Sequence, residues 1–224
     1  MALIYRAHFA FSKNPIVNSK GLNTSAIYGF LNTLLELLRK EKPTHLAIAF
    51  DTKAPTFRTE IFNDYKANRE RQPEDIQVAI PIIKKLIKLM NIKVLEKDGY
   101  EADDIIATYV DQILKIGAKV TIVSSDKDLM QLYKKNIRIY DPMKNKFINE
   151  EDIKKKFGVN AEKVIDVQSL AGDSSDNVPG VPGIGVKTAA ELINKYGNLE
   201  NLSLIHISEP TRPLYISYAV FCLK

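Results

Sequence analysis

Alternation is the feature that most restricts what this chain can fold into. Short apolar, β-branched runs at residues 45–50, 93–95, 120–124 and 137–140 are separated by longer stretches of helical periodicity. That is the arrangement of an α/β protein built on a largely parallel sheet. Between the second and third runs, Ile105, Ile106, Tyr109, Val110, Ile113 and Leu114 recur at helical spacing, and Gly117 is placed to end that helix. Residues 54–77 mix charge, aromatics and polar groups without a period. They predict an exposed arch whose basic side chains face solvent or a ligand. From Glu150 on, helical patterns at 152–157, 161–170 and 187–196 surround a turn rich in glycine and proline, Val178-Pro-Gly-Val-Pro-Gly-Ile-Gly185, which predicts a small helical appendage.

The bulk properties set wide bounds. With 224 residues, 45% of them hydrophobic and 26% charged, the chain has enough apolar side chains to bury a core and reads as neither disordered nor fibrous. A net charge of +5 and a pI near 9.0 lean towards a polyanionic partner, although only the placement of the charges makes that specific. The single cysteine, Cys222, excludes an internal disulfide framework and fits a reducing cytoplasm. Arg6 interrupts the first apolar residues before a secretory signal could form, and the apolar run at 214–223 is too short to span a bilayer.

Carboxylates recur where elements begin or end. Asp51 follows the first apolar run, Glu101, Asp103 and Asp104 open the helix that contains Ile105, Asp126 and Asp128 follow the third run, and Asp173 and Asp176 lie in Gly-Asp-Ser-Ser-Asp-Asn177 after another helix. In an open parallel sheet ligands bind beyond the carboxyl ends of the strands, so Asp51 and Asp126 are expected at one crevice. Glu101 and Asp104 share a helix face, as Asp173 and Asp176 would if their turn is helical. Gathering so many acids costs several kcal/mol in repulsion and desolvation, and hard divalent ions, Mg²⁺ first and Mn²⁺ as its substitute, are the natural compensation. Taken singly, each cluster has a plainer reading. An acidic first turn complements the helix dipole, and Asp126 with Asp128 can be an N-cap and a surface charge. Four such clusters together favour metal binding.

Two segments are suited to nucleic acid. Phe57-Arg-Thr-Glu-Ile-Phe-Asn-Asp-Tyr-Lys-Ala-Asn-Arg69 interleaves aromatics with bases, for stacking on splayed nucleobases and gripping phosphates, with Arg58 and Tyr65 among the contacts and Lys66 and Arg69 projecting together from a helix. A solvated charged face is the plain alternative. In the later turn, Gly183 and Gly185 allow backbone N–H groups to approach a phosphate, while Lys187 and Thr188 sit at the start of a helix.

These motifs, in this order, resemble the 5′ nuclease (5′-3′ exonuclease) domain of bacterial DNA polymerase I, related to flap endonucleases, over about residues 3–202. Its landmarks are Ala-Phe-Asp-Thr-Lys-Ala-Pro-Thr-Phe-Arg58, Tyr-Lys-Ala-Asn-Arg69, Gly-Tyr-Glu-Ala-Asp-Asp104, Ser-Asp-Lys-Asp-Leu129 and the Gly172 to Gly185 stretch. The resemblance implies a PIN-like core, a twisted and mostly parallel sheet flanked by helices, over residues 1–150, with the arch at about 54–77. It also implies a helix-three-turn-helix DNA-binding subdomain at 151–202. Asp51, Glu101, Asp103 and Asp104 would serve one metal position and Asp126, Asp128, Asp173 and Asp176 the other, some through water. Lys66 and Arg69 would stabilise charge on the scissile phosphate. Gly183, Gly185 and Lys187 would belong to the duplex-binding turn, which in relatives also holds K⁺. The implied activity is two-metal hydrolysis of phosphodiesters in 5′-flap, nicked or gapped duplex DNA by a monomer.

Two departures from the family set further expectations. Family members begin with a short strand ending in a metal-ligating Asp, and Met1 stands after it, which predicts weak activity and lowered stability. Residues 203–224 read as a non-family tail that looks like translated sequencing-adapter read-through, and polymerase and proofreading regions are absent. A module that holds branched DNA without cutting it is therefore the alternative to an enzyme. A nucleotide-binding domain is disfavoured, because no P-loop or Gly-x-Gly-x-x-Gly follows a first strand.

Overall fold

The computed structural model describes residues 1–205. They divide into two compact units, one of Met1–Ala54 and Glu70–Ile106 and one of Pro55–Arg69 with the chain from Ala107 on.

In the first unit, helices α1 (Ala2–Ala10), α2 (Ser25–Glu41) and α4 (Glu74–Leu89) pack beside the parallel pair β1 (Ala47–Ala49) and β2 (Lys93–Leu95). α4 forms because Ile76, Ala79, Ile83 and Ile87 fall on one stripe, and all four are buried against Ile4, Ile27, Phe30, Leu34 and Phe50. The crossing of α1 and α2 requires Gly29, since a Cβ there would stand 2.6 Å from the Cβ of Ala7. Helix α5 (Ala102–Lys115) begins in this unit.

The second unit holds the short helix α3 (Phe57–Ile61) and a three-stranded sheet of β3 (Val120–Val123), β4 (Ile137–Asp141) and β5 (Lys146–Ile148). β3 and β4 are parallel, and β5 returns antiparallel. Helices α6 (Glu150–Phe157), α7 (Val164–Ala171), α8 (Val186–Tyr196) and α9 (Leu199–Ile205) follow. α6 is set at both ends by its sequence. The Asn149 side chain accepts from the Asp152 N–H at 2.9 Å while the Asp152 carboxylate accepts from the Asn149 N–H at 3.2 Å, and Gly158, at φ +72°, ends the helix.

The α/β class and the four expected strands are present, the first and third trimmed to Ala47–Ala49 and Val120–Val123, the second as expected and the fourth longer by Asp141, and Gly117 follows α5 at φ +76° as expected. The strands among the described residues form two separate ladders, one in each unit, where a single sheet was expected. Within the expected helical arch at 54–77, residues 57–61 are helical and α4 starts at Glu74; the expectation of exposed contacts is corrected at Arg58 and Tyr65, which are buried at 5% and 6% exposure. Arg58 lies over the Phe57 ring at 4.6 Å, a cation–π contact that sequence periodicity does not reveal in a five-residue helix. α9 runs three residues past the expected edge at Leu202, and the remainder of the 203–224 tail lies outside the described residues. Among the described residues no helix is long and apolar enough to cross a membrane.

Candidate metal and nucleic-acid site

The eight candidate carboxylates fall into two sets of four. Asp51, Glu101, Asp103 and Asp104 belong to the first unit and Asp126, Asp128, Asp173 and Asp176 to the second.

In the first set, two carboxylates cap one helix. Asp51 lies two residues beyond β1, and its Oδ1 accepts the Ala102 N–H at 2.8 Å. Asp104 Oδ2 accepts the Glu101 N–H at 2.9 Å. Both bonds satisfy amides that the first turn of α5 leaves without helical partners, and both acids complement its dipole. The plain capping reading thus describes part of what these acids do. It also explains their placement, because α5 begins where the strand-end Asp51 meets it.

The second set is assembled by turns. Asp126 Oδ1 accepts the Asp128 N–H at 3.0 Å and so starts the 3-10 turn Asp128–Leu132. The Asp128 carboxylate accepts from Nε2 of Gln168, a buried residue of α7, at 2.6 Å. Burial raises the Asp128 pKa, the Gln168 hydrogen bond opposes the rise, and the negative charges of Asp126 and Asp173 reinforce it. Asp173, 4% exposed, is ion-paired through Oδ2 with Lys127 Nζ at 2.6 Å and accepts the Ser175 hydroxyl at 2.6 Å and the Ser175 N–H at 2.9 Å on Oδ1. Burial works to raise its pKa, but the bonds from Lys127 and Ser175 outweigh burial and hold it below the ordinary value.

Asp173 and Asp176 do not share a helix face. They lie in a tight turn closed by a reciprocal pair of backbone bonds between Asp173 and Val178, both 2.8 Å, because Gly172 and Asn177 take left-handed φ values of +73° and +57° that a helix cannot use. Asp176 is ion-paired with Arg69, stands 3.6 Å from Lys66 Nζ, and accepts from the Tyr65 hydroxyl at 3.3 Å. Lys66 and Arg69 therefore converge as expected, but from a turn in which Lys66 has φ +58°, not from a helix. Tyr65 is not positioned to stack on a nucleobase. Its ring packs against Val178 and Phe62 and its hydroxyl is turned to Asp176.

Further along the chain, α8 starts after Gly183, which has φ +79°, and Gly185, with no acidic residue in its first turn. Lys187 and Thr188 are exposed there, so the positive end of the helix is unopposed within its own first turn. Sequence reasoning missed Lys127 and Gln168. Lys127 could have been found as a base set between two acids in Ser-Asp-Lys-Asp-Leu129, whereas Gln168 carried no signal inside an apolar helix.

Comparison with known proteins decides the family. The family model described as 5′-3′ exonuclease, N-terminal resolvase-like domain, matches residues 1–158, and the one described as 5′-3′ exonuclease, C-terminal SAM fold, matches residues 159–211. The chain belongs to the 5′-3′ exonuclease family. This is a family of hydrolytic nucleases. The second match extends past Leu202, beyond the expected edge of the helical subdomain. A 5′-3′ exonuclease of Aquifex aeolicus is 45% identical over 201 residues, covering 90% of this chain and 69% of the relative. A DNA polymerase I of Rhizobium leguminosarum is 48% identical over 202 residues, covering 86% of this chain but only 20% of the relative, so the chain spans about a fifth of that protein. In fold, the chain is similar to a bacteriophage T5 flap endonuclease solved with DNA and metal ions, at TM-score 0.71 and 22% identity, covering 88% of this chain and 78% of that one.

Divalent ions are implied by this family. The donor chemistry fits: all eight candidates are hard oxygen ligands, and Asp126 and Asp173 each repel the charge of Asp128 in a way a cation would relieve. Among the described residues no three His, Cys, Asp or Glu side chains form a ready ligand group; Asp51 and Asp104 each give one oxygen to an amide, and Asp173 and Asp176 are paired with basic side chains.

Proposed function

We propose that this chain is a divalent-metal-dependent, structure-specific 5′ nuclease of the DNA polymerase I type, which hydrolyses phosphodiesters at 5′ flaps, nicks or gaps. The observation that carries the reading is the convergence of Lys66 and Arg69 on the acidic turn at Asp176. A pure binding surface gains nothing from acids among its phosphate-gripping bases, while a hydrolase needs both.

In the proposed reaction water attacks phosphorus, the bond from phosphorus to the 3′ oxygen breaks, and the product keeps a 5′-phosphate. Asp126, Asp128, Asp173 and Asp176 would hold one Mg²⁺ or Mn²⁺ and Asp51, Glu101, Asp103 and Asp104 a second, directly or through water. Such ions supply an activated water and neutralise the phosphoryl oxygens. Lys66 and Arg69 present cationic donors to the scissile phosphate, Arg69 with a planar fork suited to two phosphoryl oxygens. Lys127 offsets the charge of Asp173 and keeps it ionised. Lys187, Thr188 and the amides after Gly183 grip the duplex backbone, so selectivity follows junction shape and not base sequence.

The second reading is a module that binds branched DNA without cutting it, and the absence of a ready three-ligand group among the described residues favours it. The two are separated by incubating a labelled 5′-flap duplex with the chain in Mg²⁺ or in EDTA. Cleavage in Mg²⁺ alone, lost in a Lys66→Ala, Arg69→Ala double variant that still melts cooperatively, is expected. Flap binding without cleavage in any divalent ion establishes the module instead.

A further inference from the structure

We propose that Gln168 is a positioning residue for divalent-ion binding, fixing the Asp128 carboxylate in its ligating orientation. The inference rests on the reading of Asp128 as a metal ligand. Gln168 is 3% exposed on α7, and its Nε2 donates to Asp128 Oδ1 at 2.6 Å across 40 residues of sequence. Burying an amide is costly unless its hydrogen bonds are made; beside the buried Val167, Ser169 and Leu170, Gln168 makes its side-chain bond through Nε2 to Asp128 while its Oε1 has no partner among the described residues, so the contact to Asp128 is what the buried amide is placed for.

The bond uses one carboxylate oxygen and orients the other, as outer-shell partners do for ligating groups. It also acts where control is most needed. Asp128 follows directly on Lys127, and the charges of Asp126, Asp173 and Lys127 all act on its carboxylate. A neutral donor anchored in the packed helix α7 can hold the rotamer without competing as a counter-ion, which a lysine at that place would do. The backbone reinforces the anchor, since Gln168 O accepts the Gly172 N–H at 2.7 Å, the last bond before the turn that carries Asp173 and Asp176.

The test is a Mn²⁺ titration of the full chain by electron paramagnetic resonance, without DNA, on the unsubstituted protein, Gln168→Met and Asp128→Asn. Methionine keeps the length and flexibility and removes the donor. Mn²⁺ affinity in Gln168→Met is expected to fall about tenfold, with the melting temperature in EDTA changed far less than that of a cavity-forming Leu170→Ala control. Asp128→Asn should weaken Mn²⁺ at least as much. Unchanged affinity in Gln168→Met beside a weakened Asp128→Asn overturns the positioning role and leaves the ligand reading standing. Unchanged affinity in Asp128→Asn removes the ligand reading and this inference with it. If Gln168→Met does not fold, the side-chain amide resonance of Gln168 in the unsubstituted protein decides: it should shift with Mg²⁺ at the half-saturation of the binding isotherm, and a resonance that stays still refutes the proposal.

Discussion

Replacing Gly172 by alanine should damage this protein more than any other single methyl addition in the acidic turn. Gly172 stands at φ +73° and ψ −177°, a region open to glycine alone among the common residues. The strain on an L side chain there is about 1–3 kcal/mol. A Cβ would also meet backbone, at 2.3 Å from Gly180 N, 2.6 Å from Val178 O and 2.8 Å from Gly180 Cα. None of these atoms can swing aside as a side-chain tip would, so overpacking adds roughly another 1–3 kcal/mol. The sum, about 2–6 kcal/mol, is a large share of the ~5–15 kcal/mol that holds a typical domain folded. Gly183→Ala supplies the control, because φ is +79° but nothing lies within 4 Å of the added atom, leaving only a left-handed penalty of about 1–2 kcal/mol. Urea unfolding of the full chain in EDTA measures both. The expected order is Gly172→Ala well below Gly183→Ala. A Gly172→Ala loss under 1 kcal/mol would show that the close approach of Gly172 to Gly180 does not constrain the turn, and the account of how Asp173 and Asp176 are held would fail.

Four further outcomes follow from the geometry of the site. The pKa of Asp128 is raised in the folded protein, so its ionised form lowers stability above that value and the penalty fades as pH falls towards the ordinary value of 3.8; Asp128→Asn should raise the melting temperature at pH 7 in EDTA and lose that advantage near pH 3. Asp173 has the opposite sign, contributing stability above the ordinary carboxylate range that is lost on acidification through its lowered pKa, so Asp173→Asn should melt roughly 4–8 °C lower at pH 7 and an unchanged melt counts against the Lys127 pair. Lys187→Ala should weaken flap binding evenly across sequences and reduce the slope of log affinity against log salt by about 1, and an unaltered slope removes Lys187 from the phosphate contacts. Finally, Asp51→Asn keeps an oxygen for the Ala102 N–H whereas Asp51→Ala does not, so only the alanine variant should lose about 1 kcal/mol in a melt, while both should lose Mg²⁺-dependent cleavage; equal stability would mean the cap is not holding α5.

What the sequence made legible was whatever rests on local period and chain order. The runs at 93–95 and 120–124 and the stripe through Ile105 and Val110 mark elements whether or not the rest of the chain is known, because one buried face imposes its period. β5, Lys146–Ile148, stayed hidden because its pairing is set by a hairpin in which Asn145 takes φ +52° and the buried Asp141 accepts the Met143 N–H at 2.8 Å. The arch reading failed at Arg58 and Tyr65 for a related reason. A charged or hydroxylated side chain in an aperiodic stretch looks exposed until its partner is known, and the carboxylate that takes the Tyr65 hydroxyl is 111 residues away.

The contest between capping and ligation at Asp51 and Asp104 also changes character once the bonds are seen. Each bond to α5 uses one of two carboxylate oxygens, so a cap does not by itself consume a ligand. It fixes the carboxylate on a rigid backbone, at a helix end whose dipole favours the negative charge a cation would need. Capping is then the means by which a strand end and a helix start hold their acids in register, and an acidic first turn is no argument against catalysis. The same logic separates the two sets of acids. Asp51 and Asp104 are held by amides, which a cation does not displace, whereas Asp173 and Asp176 are held by Lys127, Lys66 and Arg69, cations of the same sign as the ion they would bind. Divalent-ion binding at the second set must therefore compete with those ion pairs, and its affinity should depend on salt and on the lysines far more than binding at the first.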